Sequence, residues 1–207
     1  MLGYYNYTVI LTYIGMLIGF AGLIFAHTGS IYSAILCLMG AGVCDMFDGK
    51  IASTMKRTRE EKLFGIQIDS LSDLICFGVL PSFIVICAFP ITRLTAAVCM
   101  LYTLCALIRL SAFNVNETIR QETQDGERKI YKGLPVTTSA LIFPTVYGLV
   151  TVLGLEGKNI FTAVTALTAL CFLTPFRLHK PGNAGKAVLI LLGLGALYII
   201  YLAGGLS

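Results

Sequence analysis

Long apolar segments alternate with short polar ones along the whole chain. Seven apolar stretches are predicted to be membrane-spanning helices, because about 20 apolar residues are enough to cross a hydrocarbon core of about 30 Å. They cover residues 8–26, 31–47, 65–88, 94–113, 134–153, 160–175 and 187–203. The predicted fold class is therefore all-α, a polytopic transmembrane helical bundle, with residues 1–207 forming a single integral membrane domain.

Several local features refine this prediction. Gly15, Gly19 and Gly22 follow one another at helical spacing in the first span, which predicts a close contact with another helix, within the chain or in a second copy. The second helix is expected to continue past the membrane as far as Lys56, and Pro81 is expected to kink the third span. A polar loop is predicted from Asn114 to Lys132.

Composition supports a membrane protein. Hydrophobic residues make up 57% of the chain and charged residues 13%, and the mean hydropathy of +0.83 is too high for an ordinary soluble domain. The seven Cys residues lie in or beside the apolar stretches without paired spacing, so we expect small buried hydrophobic residues instead of disulfides or zinc ligands. The N-terminus lacks a basic region and a cleavage site, so the first span is expected to remain as an anchor.

Charge predicts the orientation of the bundle. With seven spans and an internal N-terminus, all of the 15 Lys and Arg residues except Arg93 and Lys158 fall on the inner side. The positive-inside rule then predicts a cytoplasmic N-terminus and active site in the cell membrane. Anionic headgroups and nucleotide phosphates would account for the net charge of +4, so no nucleic acid partner is expected.

Two pairs of acidic residues flank the polar segment between the second and third spans. Asp45 and Asp48 are three residues apart at the end of one apolar run, and Asp69 and Asp73 are four apart at the start of the next, so each pair shares a helix face. If the helices pack together, four carboxylates meet and need a strong positive partner. Oxygen-only ligands favour a hard ion, Mg²⁺ or Mn²⁺, which usually shares its site with substrate phosphates.

Alternatives to a metal site remain open at this point. The four acids are also explained by a solvated loop in which they pair with neighbouring bases. A small ion-coupled transporter is a further hypothesis, because intramembrane acids form ion pathways in such proteins. Acids spread through the middle of the spans would favour the transporter, whereas acids clustered at one interface favour phosphate chemistry.

The spacing of these acids and their neighbours resembles the signature of the CDP-alcohol phosphatidyltransferase family. The matching pattern is D-x2-D-G-x2-A followed by G-x3-D-x3-D, formed by Asp45, Asp48, Gly49, Ala52, Gly65, Asp69 and Asp73. The resemblance implies a six-helix core, here with about one extra helix, and two divalent ions held by the four Asp residues, with Asp73 as the general base. It also implies CDP-diacylglycerol as the phosphatidyl donor and a homodimer.

The nucleotide contacts implied by this resemblance involve Gly49, Ala52, Ser53, Arg57 and Gly65. The family usually has an Arg where this chain has Ser53, and the gap to Gly65 is three residues longer than usual. We predict that Arg57 supplies the missing guanidinium, because it lies one helical turn beyond Ser53 if the second helix continues.

Three later segments are similar to elements of the phosphatidylserine synthase branch of this family. They are RLSAFN at residues 109–114, KGLP at 132–135 and PFRLHKP at 175–181. The resemblance implies L-serine as the acceptor, with Arg109, Lys132 and Arg177 binding acceptor or lipid phosphate, and with Ala112 replacing a second Arg. Glycerol 3-phosphate, inositol phosphate and an archaeal ether lipid remain alternative substrates, and snorkelling to headgroups is an alternative role for the three bases.

Overall fold

The computed structural model describes residues 3–123, 130–175, 177–179 and 183–204, which form helices joined by short connections. The helices are α1 (Tyr7–His27), α2 (Ile31–Ala52), α3 (Arg59–Asp73), α4 (Leu80–Ala88), α5 (Arg93–Thr123), α6 (Ser139–Val152), α7 (Gly157–Leu173) and α8 (Asn183–Gly204). A π-helical segment, Leu74–Val79, joins α3 to α4, and a 3₁₀ turn, Val136–Thr138, precedes α6. Two short strands, β1 (Ile130–Lys132) and β2 (Arg177–His179), pair antiparallel.

The predicted all-α transmembrane bundle is confirmed. Within the described residues, four helical segments are long and apolar enough to cross a membrane: Tyr7–His27, Ile31–Ala52, Arg59–Ala88 and Arg93–Ile119. Shorter apolar helices lie at Val136–Val152, Gly157–Leu173 and Leu191–Leu202. Many large apolar side chains point outward, among them Leu17, Leu101 and Leu191, as expected of a surface that faces lipid. The chain is an integral membrane protein.

The glycines of α1 allow a close helix contact inside the chain. Gly15, Gly19 and Gly22 are buried, and a Cβ atom at position 15 would lie 3.0 Å from the Cβ of Cys44 in α2. A Cβ at position 19 would overlap the sulfur of Cys76 in the π-helical segment. α2 and the π-helical segment already cover this glycine face, so a contact between the first span and a second copy would have to use another face of α1.

The bounds of α2 and α3 differ from the prediction. α2 ends at Ala52 and does not reach Lys56, and the hydroxyl of Ser53 donates to the Lys50 carbonyl at 2.7 Å, which satisfies one of the last carbonyls of the helix. α3 begins at residue 59, six residues before the predicted start at 65, because Thr58 and Glu61 form a capping box. The intervening residues 53–58 form a short non-helical linker.

The predicted polar loop from Asn114 to Lys132 is largely replaced by regular structure. α5 continues to Thr123, since its polar end extends beyond the apolar stretch on which the prediction was based. Residues 130–132 form β1, and residues 124–129 lie outside the described part of the chain. Apolar patterning marks where a helix leaves the membrane, not where the helix ends.

The π-helical segment is stabilised by hydroxyl groups of α5 and α6. Pro81 has no backbone N–H, so it cannot donate the α-helical hydrogen bond to the Phe77 carbonyl. The buried Tyr102 hydroxyl donates to that carbonyl at 2.7 Å and lies 2.7 Å from the Ser139 hydroxyl. The Tyr102 hydroxyl has a single proton, which it donates to the carbonyl, so the Ser139 hydroxyl must donate to the Tyr102 oxygen.

We predict that Tyr102→Phe destabilises the fold. The Phe77 carbonyl and the Ser139 hydroxyl would lose their partner in a buried site, which costs on the order of 1–3 kcal/mol for each buried group left unsatisfied. The thermal unfolding midpoint of the purified protein in detergent should fall. Tyr198→Phe on the exposed face of α8 is the matched control and should leave the midpoint unchanged. Equal midpoints for the two variants would contradict the prediction.

Candidate active site

Four carboxylates from two helices meet at one end of the bundle. Asp45 and Asp48 belong to α2, and Asp69 belongs to α3. One carboxylate oxygen of each residue lies within 4.8 Å of those of the other two. Asp73, the last residue of α3, is within hydrogen-bonding reach of Asp45, and Asp48 is within reach of Asp69. The geometry therefore brings together all four acids that the sequence analysis selected.

α1 contributes directly to this cluster. The hydroxyl of Thr12 donates to Oδ2 of Asp48 at 3.2 Å, and the Ser72 hydroxyl donates to the Thr12 backbone carbonyl at 3.5 Å. The sequence analysis missed Thr12. A signal was present, because Thr8 and Thr12 continue the face of α1 that carries Gly15, and polar residues on a close-packed helix face need partners.

The donor set of the cluster fits a hard divalent cation. It consists of carboxylate oxygens, which are the ligands that such ions prefer. Cys44 and Cys76 line the same small cleft. The thiol of Cys76 lies 3.5 Å from the Gly15 carbonyl, to which it donates, and both cysteines are buried. The prediction of small buried residues holds for Cys44, Cys76 and Cys99, whereas the other four cysteines are half-buried.

Two of the predicted nucleotide-binding residues contact each other. A Cβ atom at Gly65 would lie 3.1 Å from Nη1 of Arg57, so the guanidinium rests against the bare backbone of α3. The prediction that Arg57 shares a helical face with Ser53 is wrong, because α2 ends at Ala52. The linker brings it to Gly65 by another route.

The remaining predicted nucleotide-binding positions lie along the end of α2. Gly49 faces open space, because a Cβ atom there would meet no neighbour within 4 Å. Ala52 is the last helical residue, and Ser53 is exposed with its hydroxyl turned back to α2. Open space beside Gly49 leaves room for a ligand to approach the backbone near the carboxylates.

A second group of predicted residues lies where α5 meets the segment before α6. Nε of Arg109 donates to the Leu134 carbonyl at 3.3 Å, and the guanidinium lies 5.9 Å from the ring centre of Phe113. Gly133 has φ of +79°, and a Cβ atom there would lie 3.1 Å from the Thr174 carbonyl oxygen, so this turn requires glycine.

The two other predicted basic positions are neighbours in the two-stranded sheet. Lys132 in β1 pairs in register with Arg177 in β2, so their backbones lie side by side next to Gly133. Their side chains lie outside the described part of the structure, as do Lys180 and Pro181 of the predicted PFRLHKP element. The sheet places the KGLP and PFR elements together, which sequence spacing alone did not predict.

Asn114 links α5 to α3 beside the carboxylates. Its Oδ1 accepts from the Ser70 hydroxyl at 2.6 Å, and its Nδ2 donates to Oε1 of Gln67 at 3.4 Å. Ser70 follows Asp69 directly, so the bond fixes the turn of α3 that carries this acid. From the sequence, Asn114 is the end of the RLSAFN element and the start of a predicted polar loop. Its contact with α3 was not predicted, because the contact depends on how α5 packs on α3.

Comparison with known proteins finds one matching family and several similar proteins. The sequence profile described as CDP-alcohol phosphatidyltransferase matches residues 5–175. The chain is 34% identical over 155 residues to a CDP-diacylglycerol–serine O-phosphatidyltransferase of Saccharomyces cerevisiae, a match that covers 65% of this chain and 52% of the relative. It is 32% identical over 130 residues to an archaetidylserine synthase of Methanothermobacter thermautotrophicus, covering 62% and 52%. The chain thus spans about half the length of these relatives.

We predict that Asp69→Asn changes the thermal unfolding midpoint differently with and without a divalent cation. Without one, removal of a negative charge from the cluster should raise the thermal unfolding midpoint or leave it unchanged, because like charges repel. The increase in midpoint that Mg²⁺ or Mn²⁺ gives the parent protein through binding should be lost. Thermal unfolding in EDTA and at rising metal concentration measures both effects.

Glu156→Gln, an exposed acid at the opposite end of the bundle, is the matched control and should keep the metal-induced increase. An Asp69→Asn protein that gains as much stability from the metal as the parent would show that Asp69 is not a ligand.

Proposed function

Because the chain belongs to the CDP-alcohol phosphatidyltransferase family, we propose that it transfers the phosphatidyl group of CDP-diacylglycerol to the hydroxyl of L-serine. The products are phosphatidylserine and CMP. The observation that carries this proposal is the meeting of four carboxylates beside a glycine backbone that faces open space and a second glycine covered by a guanidinium. This arrangement suits a nucleotide diphosphate, whose charge needs cations and whose bulk needs bare backbone.

We further propose that the four carboxylates hold two Mg²⁺ or Mn²⁺ ions. The fit rests on the donor set, since carboxylate oxygens are the ligands that these ions prefer. When bound, such ions neutralise the charge of the diphosphate and of the CMP leaving group. All four carboxylates, including that of Asp73, would act as ligands, and Thr12 would orient the Asp48 carboxylate through its hydrogen bond.

Asp73 is the proposed general base. It would accept the proton of the acceptor hydroxyl while the hydroxyl oxygen forms a bond to the β-phosphorus and the bond from that phosphorus to the bridging oxygen of CMP breaks. A carboxylate is a weak base for an alcohol, so positioning of the substrates must supply much of the rate acceleration. The π-helical segment begins directly after Asp73, and departures of this kind from regular helix are frequent at functional sites.

The acceptor pocket is proposed to lie beside the two-stranded sheet. A serine carboxylate needs cationic partners, and Arg109, Lys132 and Arg177 belong to the segments that meet there. The Arg109 side chain also holds the Leu134 carbonyl, so it would position the KGLP turn as well. The relatives are named a CDP-diacylglycerol–serine O-phosphatidyltransferase and an archaetidylserine synthase, and these names favour serine over glycerol 3-phosphate or inositol phosphate as the acceptor. An ether-linked donor lipid remains the alternative that the archaeal relative suggests.

The proposed location is the cell membrane, with the N-terminus and the active site facing the cytoplasm. The hydrogen bond from Thr12 in α1 to Asp48 places the N-terminal end of the bundle on the same side as the carboxylates. Lys50, Lys56 and Arg57 lie at that end, which follows the positive-inside rule. We also propose a homodimer, formed through a surface other than the glycine face of α1.

The transporter alternative is less well supported by the arrangement of the acids. The four carboxylates line one small cleft between the helical segments Ile31–Ala52 and Arg59–Ala88, instead of being spread along several spans. Release of CMP from CDP-diacylglycerol in detergent, dependent on added divalent metal, tests the proposed activity. Parallel reactions with L-serine, glycerol 3-phosphate and inositol phosphate identify the acceptor, and a protein that releases no CMP with any of them is not the proposed enzyme.

We predict that Asp73→Asn abolishes the release of CMP, because the acceptor hydroxyl loses the group that takes its proton. The variant should remain folded and should still bind CDP in the presence of metal, because Asp45, Asp48 and Asp69 remain. CMP release and calorimetric titration with CDP measure the two properties separately. Turnover at the parent rate would exclude Asp73 as the base.

We predict that Arg57→Ala weakens the binding of CDP-diacylglycerol by about 10-fold, the order expected for loss of one hydrogen bond to a charged group. The effect should appear as a higher KM for the donor, with little change in the KM for serine. Lys56→Ala is the matched control, because it removes the same charge from the neighbouring, exposed position of the linker. Equal donor KM values for the two variants would reject the role of Arg57.

A further inference from the structure

The residues at the start of the chain contact the linker between α2 and α3 on both sides. We define the N-terminal clamp as residues 3–7. The hydroxyl of Tyr7 lies 3.0 Å from the Thr54 hydroxyl, near the beginning of the linker. Nδ2 of Asn6 donates to Oε1 of Glu61 at 3.1 Å, just beyond the end of the linker.

Tyr4 adds two contacts to the first turns of α3. Its hydroxyl donates to Oε2 of Glu60 at 2.9 Å, and its ring packs edge-on against Phe64 with centroids 5.3 Å apart. The Tyr4 carbonyl in turn accepts from the Tyr13 hydroxyl at 3.1 Å, which ties the clamp to α1. The clamp is therefore fixed to the transmembrane bundle at one end and to the linker region at the other.

Glu61 connects the clamp to the nucleotide-binding residues. Its carboxylate accepts from the Thr58 backbone N–H at 2.8 Å, accepts from Asn6, and lies close enough to Arg57 for an electrostatic interaction. The guanidinium of Arg57 lies against Gly65 one turn further along α3. One carboxylate thus joins Asn6, the end of the linker and Arg57, the residue predicted to replace the family's usual Arg.

We propose that the N-terminal clamp positions the linker, and with it Arg57, over the nucleotide-binding face. Asn6 and Tyr4 are then positioning residues for the donor substrate, and they touch neither substrate nor metal. This inference rests on the proposed function, because it takes the face of Gly49 and Gly65 as the place where the nucleotide binds. Sequence spacing gave no indication of it, since the contacts join residues more than 45 positions apart.

The physical reason is the conformational freedom of the linker. Residues 53–58 are not helical, and fixing each backbone costs roughly 1–2 kcal/mol in conformational entropy. A linker already held in place before the donor arrives does not have to be ordered by the donor. Loss of the clamp should therefore weaken donor binding and leave the chemical step unchanged.

Asn6→Asp tests the clamp without removing the helix cap. The Asn6 side chain caps α1 by accepting from the Thr8 N–H at 3.2 Å, and Asp caps helices about as well as Asn. The substitution removes the Nδ2 donor and brings a second carboxylate to Glu61. We expect the Kd of CDP and the KM of CDP-diacylglycerol to rise about five-fold, the order expected for one lost hydrogen bond, with kcat unchanged.

Glu61→Gln in the Asn6→Asp background should recover only part of the lost donor affinity. The amide can donate to the new carboxylate, but the negative charge that Glu61 places near Arg57 is lost. A Gln at this position also preserves the capping box of α3. Tyr4→Phe is a second test, since it keeps the ring contact with Phe64 and removes the bond to Glu60. Tyr201→Phe, exposed on α8, is its matched control and should bind CDP as the parent does.

Calorimetric titration with CDP and Mn²⁺ in detergent, without any acceptor, separates the clamp from the proposed function. A parent protein that binds no CDP overturns the proposed function. A parent that binds CDP while Asn6→Asp and Tyr4→Phe bind it equally well overturns the clamp alone. A fall in kcat instead of a rise in donor KM would also overturn the clamp.

Discussion

The close approach of α1 to α2 and to the π-helical segment is the contact on which the site depends. It is possible because Gly15 and Gly19 present bare backbone to Cys44 and Cys76. The approach carries Thr12 to the carboxylates and holds α2 and α3 side by side against electrostatic repulsion. Two unit charges 4 Å apart repel by about 4 kcal/mol at an effective dielectric constant of 20, so packing has to oppose a substantial force until a cation is bound.

The segment after Asp73 departs from regular α-helix geometry, and a side chain of a neighbouring helix replaces a hydrogen bond that it loses. After Asp73 the chain adopts a π-helical turn, and Pro81 leaves the Phe77 carbonyl without its usual donor. Tyr102 supplies the missing hydrogen bond, and Ser139 completes the buried network. A helix in lipid tolerates such an interruption only where neighbouring helices satisfy the freed groups. The orientation of the last carboxylate of α3 is thereby coupled to the packing of α5 and α6.

The sequence allowed the spans and the acidic cluster to be predicted, because both follow from local periodicity. Helix ends were less predictable, since apolar patterning locates the membrane boundary. The start of α3 did have a local signal in the capping box of Thr58 and Glu61, which the span assignment overlooked. The contact of Arg57 with Gly65 and the pairing of Lys132 with Arg177 had no such signal, because each depends on segments brought together by the packed bundle.

This difference in predictability reflects the kind of segment in which the residues lie. The carboxylates lie on transmembrane helices whose packing fixes them, and a metal site needs that precision. Some of the residues predicted to recognise nucleotide and acceptor lie instead in connecting segments: Ser53 and Arg57 in the linker, and Lys132 and Arg177 in the short sheet. The others, Gly49, Ala52, Gly65 and Arg109, lie on helices. Such connecting segments can change length or residue type without repacking the core. This explains how Ser53 and a longer gap before Gly65 are compatible with an intact acidic cluster: the linker has room to bring Arg57 to the backbone by a different route.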